Sequence, residues 1–179
     1  MGDVNMRISV RKMALAAVVA AVYAGLTMFL APISYGPIQF RVSEVLCILP
    51  FFFPFSTWGL FVGCILANLL SAYGVVDVVF GSLATLLAAI TTMIIGKMGR
   101  TKGWTALACL PPVVFNGLLV GAAIAIATTD TAFLPAFALN GIQVAVSELA
   151  VMYILAFPLA LYLPKTRFFS NLVAKYAEL

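Results

Sequence analysis

Three carboxylates, Glu44, Asp77 and Glu148, stand in stretches of this sequence where nearly every neighbour is a hydrocarbon. The carboxamides Asn68, Asn116, Asn140 and Gln143 occupy similar settings, and Arg41 lies between Tyr35 and Glu44 in the polar stretch ISYGPIQFRVSEVLCIL. Such groups are costly to bury unless something hydrogen-bonds them. Their joint chemistry is recognition: carboxylates accept paired N–H donors, carboxamides give and take hydrogen bonds, and a guanidinium donates in a planar fork. At 100° per residue Asn140, Gln143, Ser147 and Glu148 share one helical face. Glu148 is the hardest to explain without a ligand or a water-filled cavity, because no basic residue is near it in sequence. Structural roles stand beside the others: a first-turn acid at Asp77, an Arg41–Glu44 pair at a helix end, interhelical hydrogen bonds from Asn68 and Asn116, and interfacial anchoring for Tyr35 and Tyr73. Tyr35, Phe40 and Tyr73 are also candidate aromatic walls.

Catalysis finds little support. There is no histidine among the 179 residues, which removes the commonest general base and metal ligand. Cys47, Cys64 and Cys109 sit singly inside apolar runs, as small buried hydrophobes do, without metal or disulfide spacing. No phosphate loop, GxSxG or HExxH occurs, so the chain cannot drive ATP-dependent transport alone and is expected to be a non-enzyme without cofactor or metal.

The elements that must position these groups are membrane helices. The chain is 64% hydrophobic and 9% charged, with mean hydropathy +1.15, whereas soluble domains are about one-quarter charged. Spans of about 20 apolar residues are needed to cross the hydrocarbon. The pattern predicts a single all-α transmembrane domain over 1–179 with six helices near 10–30, 43–56, 57–72, 76–95, 104–127 and 135–163. The second, interrupted by Pro50 and Pro54, is expected to be short or kinked, and Ser71–Gly74 to form a turn. The run after Arg7, Arg11 and Lys12 is long enough to be the first span rather than a signal peptide. Six crossings put nine of the ten basic residues on the cytoplasmic side with both termini, leaving Arg41 outside and Asp77 and Asp130 at outer span ends. These cations mark topology, not a nucleic-acid face. Most of the buried polar set then converges in the outer half of the bilayer beneath the 31–43 loop, a cap over a small-molecule site.

The first span carries two small-residue ridges, Ala16/Ala20/Ala24 and Ala17/Ala21/Gly25, which allow close approach of another helix. Similar ridges at Gly59/Gly63/Ala67 and Gly117/Gly121/Ala125 read as internal packing.

Together with the segments PIQFRVSEVLCILPFF and GCILANLLSAYGVVDVVFGSLATLLAA, this architecture resembles the queuosine-precursor substrate-binding (S) components, the QueT family, of energy-coupling-factor (ECF) vitamin transporters. The similarity covers nearly the whole chain and is most specific over 38–52 and 63–89. The resemblance implies a multi-pass protein of the bacterial plasma membrane that captures a 7-deazaguanine, 7-aminomethyl-7-deazaguanine above all, from outside. It implies association through the alanine ridges with a transmembrane coupling subunit carrying two ATPases, which hydrolyse the ATP. For that ligand Glu148 or Glu44 would accept from the base edge, Asp77 would take the ammonium, and Arg41 would anchor the loop. An S component for another vitamin, such as thiamine or riboflavin, is the alternative; a small membrane enzyme or assembly factor would require a nucleophile–base pair or metal cluster.

Overall fold

The computed structural model describes residues 10–35, 38–128 and 132–176. Arg7 and Asp130, both used in the charge argument, lie outside the described residues. Helix α1 (Val10–Phe29) is followed by the single turn α2 (Ala31–Ser34) and by a 3₁₀ helix over Val42–Phe51. Helices α3 (Ser56–Asn68) and α4 (Gly74–Met98) come next. A fifth rod comprises α5 (Lys102–Ala108), α6 (Leu110–Phe115), a π-helical turn over Asn116–Val120 and α7 (Gly121–Ala127). The sixth is α8 (Phe133–Ala150), a π-helical turn over Val151–Ala156, α9 (Phe157–Tyr162) and a short 3₁₀ turn; α10 (Arg167–Tyr176) closes the order.

Among the described residues, four stretches are helical, long and apolar enough to cross a membrane: Val10–Phe29, Gly74–Met98, Lys102–Ala127 and Phe133–Lys165. The Val42–Phe51 and Ser56–Asn68 helices are apolar but shorter. At about 2.0 Å rise per residue for 3₁₀ and 1.5 Å for α, each spans roughly 20 Å against a hydrocarbon core of about 30 Å. The expected helices at 43–56 and 57–72 are thus both present in shortened form. The second is 3₁₀, with bonds from the Glu44 N–H to the Arg41 carbonyl and from Phe52 to Leu49, both 2.9 Å. Pro50, inside it, cannot donate to the helix and resists α-helical continuation. Three residues per turn stack Glu44, Cys47 and Pro50 on one buried face.

The bundle is turned outward. On α8, Leu139, Ile142, Val146 and Leu149 are exposed while Asn140, Val144, Ser147 and Glu148 are buried. A soluble helix shows the opposite arrangement; in lipid the apolar face is the one that meets solvent.

Close approach holds the rods together. A Cβ on Gly59 would collide with the Ala16 carbonyl, and one on Gly63 would stand 2.8 Å from the Ala20 carbonyl oxygen. The Ala16/Ala20/Ala24 ridge therefore packs on α3, with Ala20 and Ala24 buried. This corrects the expectation that both ridges face a partner. Ala17, Ala21 and Gly25 remain exposed, with nothing within 4 Å of a Cβ built on Gly25. Gly117 and Gly121 pack in the same manner against Ala145 and Gly141 of α8. At the first residue of α4, Gly74 adopts φ +62°, a conformation suited to glycine, and its N–H closes the preceding turn on the Ser71 carbonyl at 3.2 Å.

Gly96 lets α4 touch the end of the 3₁₀ helix, where a Cβ would strike the Phe51 carbonyl. Gly96→Ala is expected to lower stability by about 1–3 kcal/mol, as overpacking does, read as a fall in the thermal midpoint of the purified protein.

Candidate functional site

The loop delivers its polar groups by simple alternation. Ile38 and Phe40 are exposed while Gln39 and Arg41 are buried, the two-residue period of extended chain. A hydrogen bond of 2.8 Å from the Phe40 N–H to the Ile33 carbonyl ties the segment back to α2. Phe40, a candidate wall in the sequence, thus faces away from the interior.

Gln39 and Arg41 meet Glu44 at the head of the 3₁₀ helix, Asn116 and Val120 of the fifth rod, and Val144 and Glu148 of α8. These residues close around a cavity of only about 10 Å³. Asn116 begins one π-helical turn, and the other begins three residues beyond Glu148. Such turns shift helix register and frequently accompany functional sites.

The acids are held differently. Glu44 accepts a hydrogen bond from the Tyr23 hydroxyl of α1 on one oxygen and from the Cys47 thiol, at 2.8 Å, on the other. Thr27 and Ser43 share a hydrogen bond of 2.6 Å just above, fastening α1 to the 3₁₀ helix. Glu148 lines the same cavity as Asn116 and keeps Oε1 buried and unpartnered. Also without a partner are Asn116 Oδ1 and Nε and Nη2 of Arg41. Buried polar atoms are overwhelmingly hydrogen-bonded, so four such atoms around one small cavity call for an explanation. Together they offer acceptors from Glu148 and Asn116 and donors from Arg41, the complement of a small polar heterocycle.

The other sequence candidates form a second layer. Asn68 donates to the Asp77 carbonyl at 3.1 Å and to Cys64 Sγ at 3.4 Å, tying α3 to α4. Asp77 Oδ1 and Asn68 Oδ1 are buried and unpartnered. Asp77 does not line the small cavity. Tyr35 links the layers: its ring lies 5.9 Å from the Arg41 guanidinium and its hydroxyl donates to the Ala67 carbonyl at 2.6 Å. Burial raises the Tyr35 phenol, keeping it a donor at neutral pH. On α8, Asn140 donates to the Ala136 carbonyl at 2.8 Å, whereas Gln143 Oε1 is buried without a partner; neither lines the cavity.

Tyr23, Gln39, Val120 and Val144 had no place among the sequence candidates. Tyr23 carried one signal, being the tyrosine in the middle of a span that is otherwise small and aliphatic between Met13 and Leu26. Its role can be read directly: Tyr23→Phe is expected to remove one of the two donors to Glu44 and destabilise the protein by about 1–2 kcal/mol, measured as a lowered midpoint without loss of helical circular dichroism.

The profile described as QueT transporter matches residues 13–165. The chain is also similar to the protein named Queuosine precursor transporter QueT of Lactococcus lactis subsp. cremoris (strain MG1363), with 50% identity over 72 residues. That match covers 39% of this chain and 42% of the relative, so the chain spans less than half of the relative it matches. No solved structure matches the chain. With the family profile running from the first helix to the end of the sixth rod, and with helices built for lipid, this multi-pass membrane protein belongs to the QueT transporter family.

Proposed function

We propose that this chain is the substrate-binding subunit of an ECF-type ABC importer and that it captures a 7-deazaguanine queuosine precursor from outside the cell. The observation that carries the reading is the set of unpartnered atoms on Arg41, Asn116 and Glu148 around one buried cavity. A guanine-like edge presents two adjacent N–H donors, which suit a carboxylate with a free oxygen, and Glu148 has one. The exocyclic carbonyl oxygen of the base wants a donor, which Arg41 offers. An aminomethyl substituent is cationic and calls for a second carboxylate: Glu44 at the cavity or Asp77 in the adjoining layer.

Ligand pockets usually measure about 300–1,000 Å³, so a bicyclic base enters only when the walls separate. The 38–41 segment that carries Gln39 and Arg41 is extended chain rather than helix, which makes it the cap in this reading.

In the same proposal the protein crosses the membrane six times. The 3₁₀ helix and α3 serve as short crossings, both termini are cytoplasmic, and the cavity lies in the outer half. The exposed Ala17/Ala21/Gly25 ridge meets the transmembrane coupling subunit, and two ATPases on that subunit supply the energy. The chain itself performs no catalysis and needs no cofactor. Its place is the bacterial plasma membrane.

Calorimetric titration of the detergent-solubilised protein with 7-aminomethyl-7-deazaguanine and its cyano analogue tests the substrate, with thiamine and riboflavin as controls. Tight binding of the aminomethyl base, with the cyano form weaker, is the expected result. Binding of a control vitamin, with neither deazaguanine bound, would overturn the substrate assignment.

A further inference from the structure

At the opposite end of the bundle from the buried acids lies a cleft of about 650 Å³. Its floor and walls include Phe51, Phe52, Ala160, Leu161, Pro164 and Val173, and its rim carries Arg100, Lys102 and Lys165. Helix α4 alone separates the ends: from Asp77 to Lys97 it rises about 30 Å. The acids of the described residues, Glu44, Asp77 and Glu148, all belong to the far end, so none of them neutralises this rim. A solvated charge run would sit on a smooth polar face. Here the three exposed cations edge an apolar hollow instead.

The setting is that of a membrane interface. Helix α10 is strongly amphipathic: it buries Phe169 against Phe52 and Phe53 and lends Ser170, Val173 and Ala174 to the cleft. Tyr162 at the end of α9 and Phe168 of α10 project outward, 65% and 76% exposed, as aromatic side chains do at headgroup depth. A cationic rim over an apolar hollow at that depth matches a molecule with an anionic head and hydrocarbon tails.

We propose that this cleft binds an anionic phospholipid, its phosphate held by Arg100, Lys102 and Lys165 and its acyl chains laid on Phe51, Phe52 and Val173. Arg100 also edges a neighbouring hollow that contains Lys97, so the headgroup has a second cation in reach. The site is independent of the substrate cavity and stands whatever that cavity binds.

The test uses the full-length protein in a neutral detergent, titrated with dioleoyl phosphatidylglycerol or dioleoyl phosphatidylcholine and read by native mass spectrometry. Phosphatidylglycerol is expected to bind at least about tenfold more tightly than phosphatidylcholine. The combined variant Arg100→Gln, Lys102→Gln, Lys165→Gln should abolish that preference. A control with the same charge change, Arg11→Gln, Arg167→Gln, Lys175→Gln, should retain it. Should the first variant fail to fold, Ala174→Trp, which fills the cleft from an exposed position, should weaken phosphatidylglycerol to the level of phosphatidylcholine. Equal binding of the two lipids, or equal loss in the control, would overturn the proposal. So would displacement of the lipid by inorganic phosphate or glycerol 1-phosphate at comparable concentration, which would assign the rim to a small soluble anion.

Discussion

Glu148→Gln is expected to weaken binding of 7-aminomethyl-7-deazaguanine by about a hundredfold while leaving the unliganded protein at least as stable as before. The first half follows from chemistry at the cavity. A carboxylate that takes two N–H groups of a base makes charge-assisted bonds, and losing one such acceptor while leaving a donor unpaired costs about 3 kcal/mol, which is about a hundredfold in affinity. Glutamine has nearly the same volume, so packing against Val120 and Val144 is kept.

The second half separates a ligand role from a structural one. Glu148 is 3% exposed and keeps one oxygen unpartnered, an arrangement that costs stability in the free protein. Replacing it with a neutral side chain relieves that cost, as is common where function is bought with stability. Isothermal calorimetry and a thermal melt on one preparation decide the matter. A fall in the midpoint with binding intact would make Glu148 a packing residue. Glu44→Gln is expected to behave differently, because both Glu44 oxygens already hold internal donors: its melt should fall along with its affinity.

Gly59→Leu is expected to be the most disruptive single change to the fold. At this position the backbones of α1 and α3 are so close that even a methyl group would meet the Ala16 carbonyl. Overpacking of a well-fitted contact costs about 1–3 kcal/mol and occasionally more, and here the obstacle is a main chain with little freedom to shift. Gly63→Leu, one turn along, meets Ala20 and Tyr23. Displacing α1 there also draws the Tyr23 hydroxyl away from Glu44, so the packing fault reaches the site. The measurement is the monodisperse fraction and the melting midpoint in detergent, with Gly25→Leu as comparison. Gly25 faces outward with nothing within 4 Å of a built Cβ, so that variant should fold normally.

The contrast between these glycines shows how much was legible beforehand. Composition and the positions of Pro, Gly and charge were enough for an all-helical membrane protein, because lipid requires helices to satisfy their own backbone bonds and therefore writes each crossing as an apolar run. The same economy made the candidate site visible: in so apolar a chain, Glu44, Glu148, Asn116 and Arg41 are conspicuous, and burial of such groups needs a reason. Spacing also put Glu148 and Asn140 on one face of α8, since helical periodicity is local.

Tertiary structure decided what each of those residues touches. Spacing alone could not say which alanine ridge of α1 turns inward, because the two are built alike; only the position of Gly59 and Gly63 across the interface assigns Ala16/Ala20/Ala24 to α3. Nor could it pair Tyr23 with Glu44, which are distant in sequence and meet only when α1 lies against the 3₁₀ helix. A short helix was expected there, but its 3₁₀ winding was hidden, since Pro50 announces a break without naming the geometry that replaces the α turn. Asp77 separated from the cavity for the same reason. Its partner Asn68 belongs to the α3–α4 contact, and contacts between rods are set by how their surfaces interlock, a property of the assembled bundle rather than of either sequence segment.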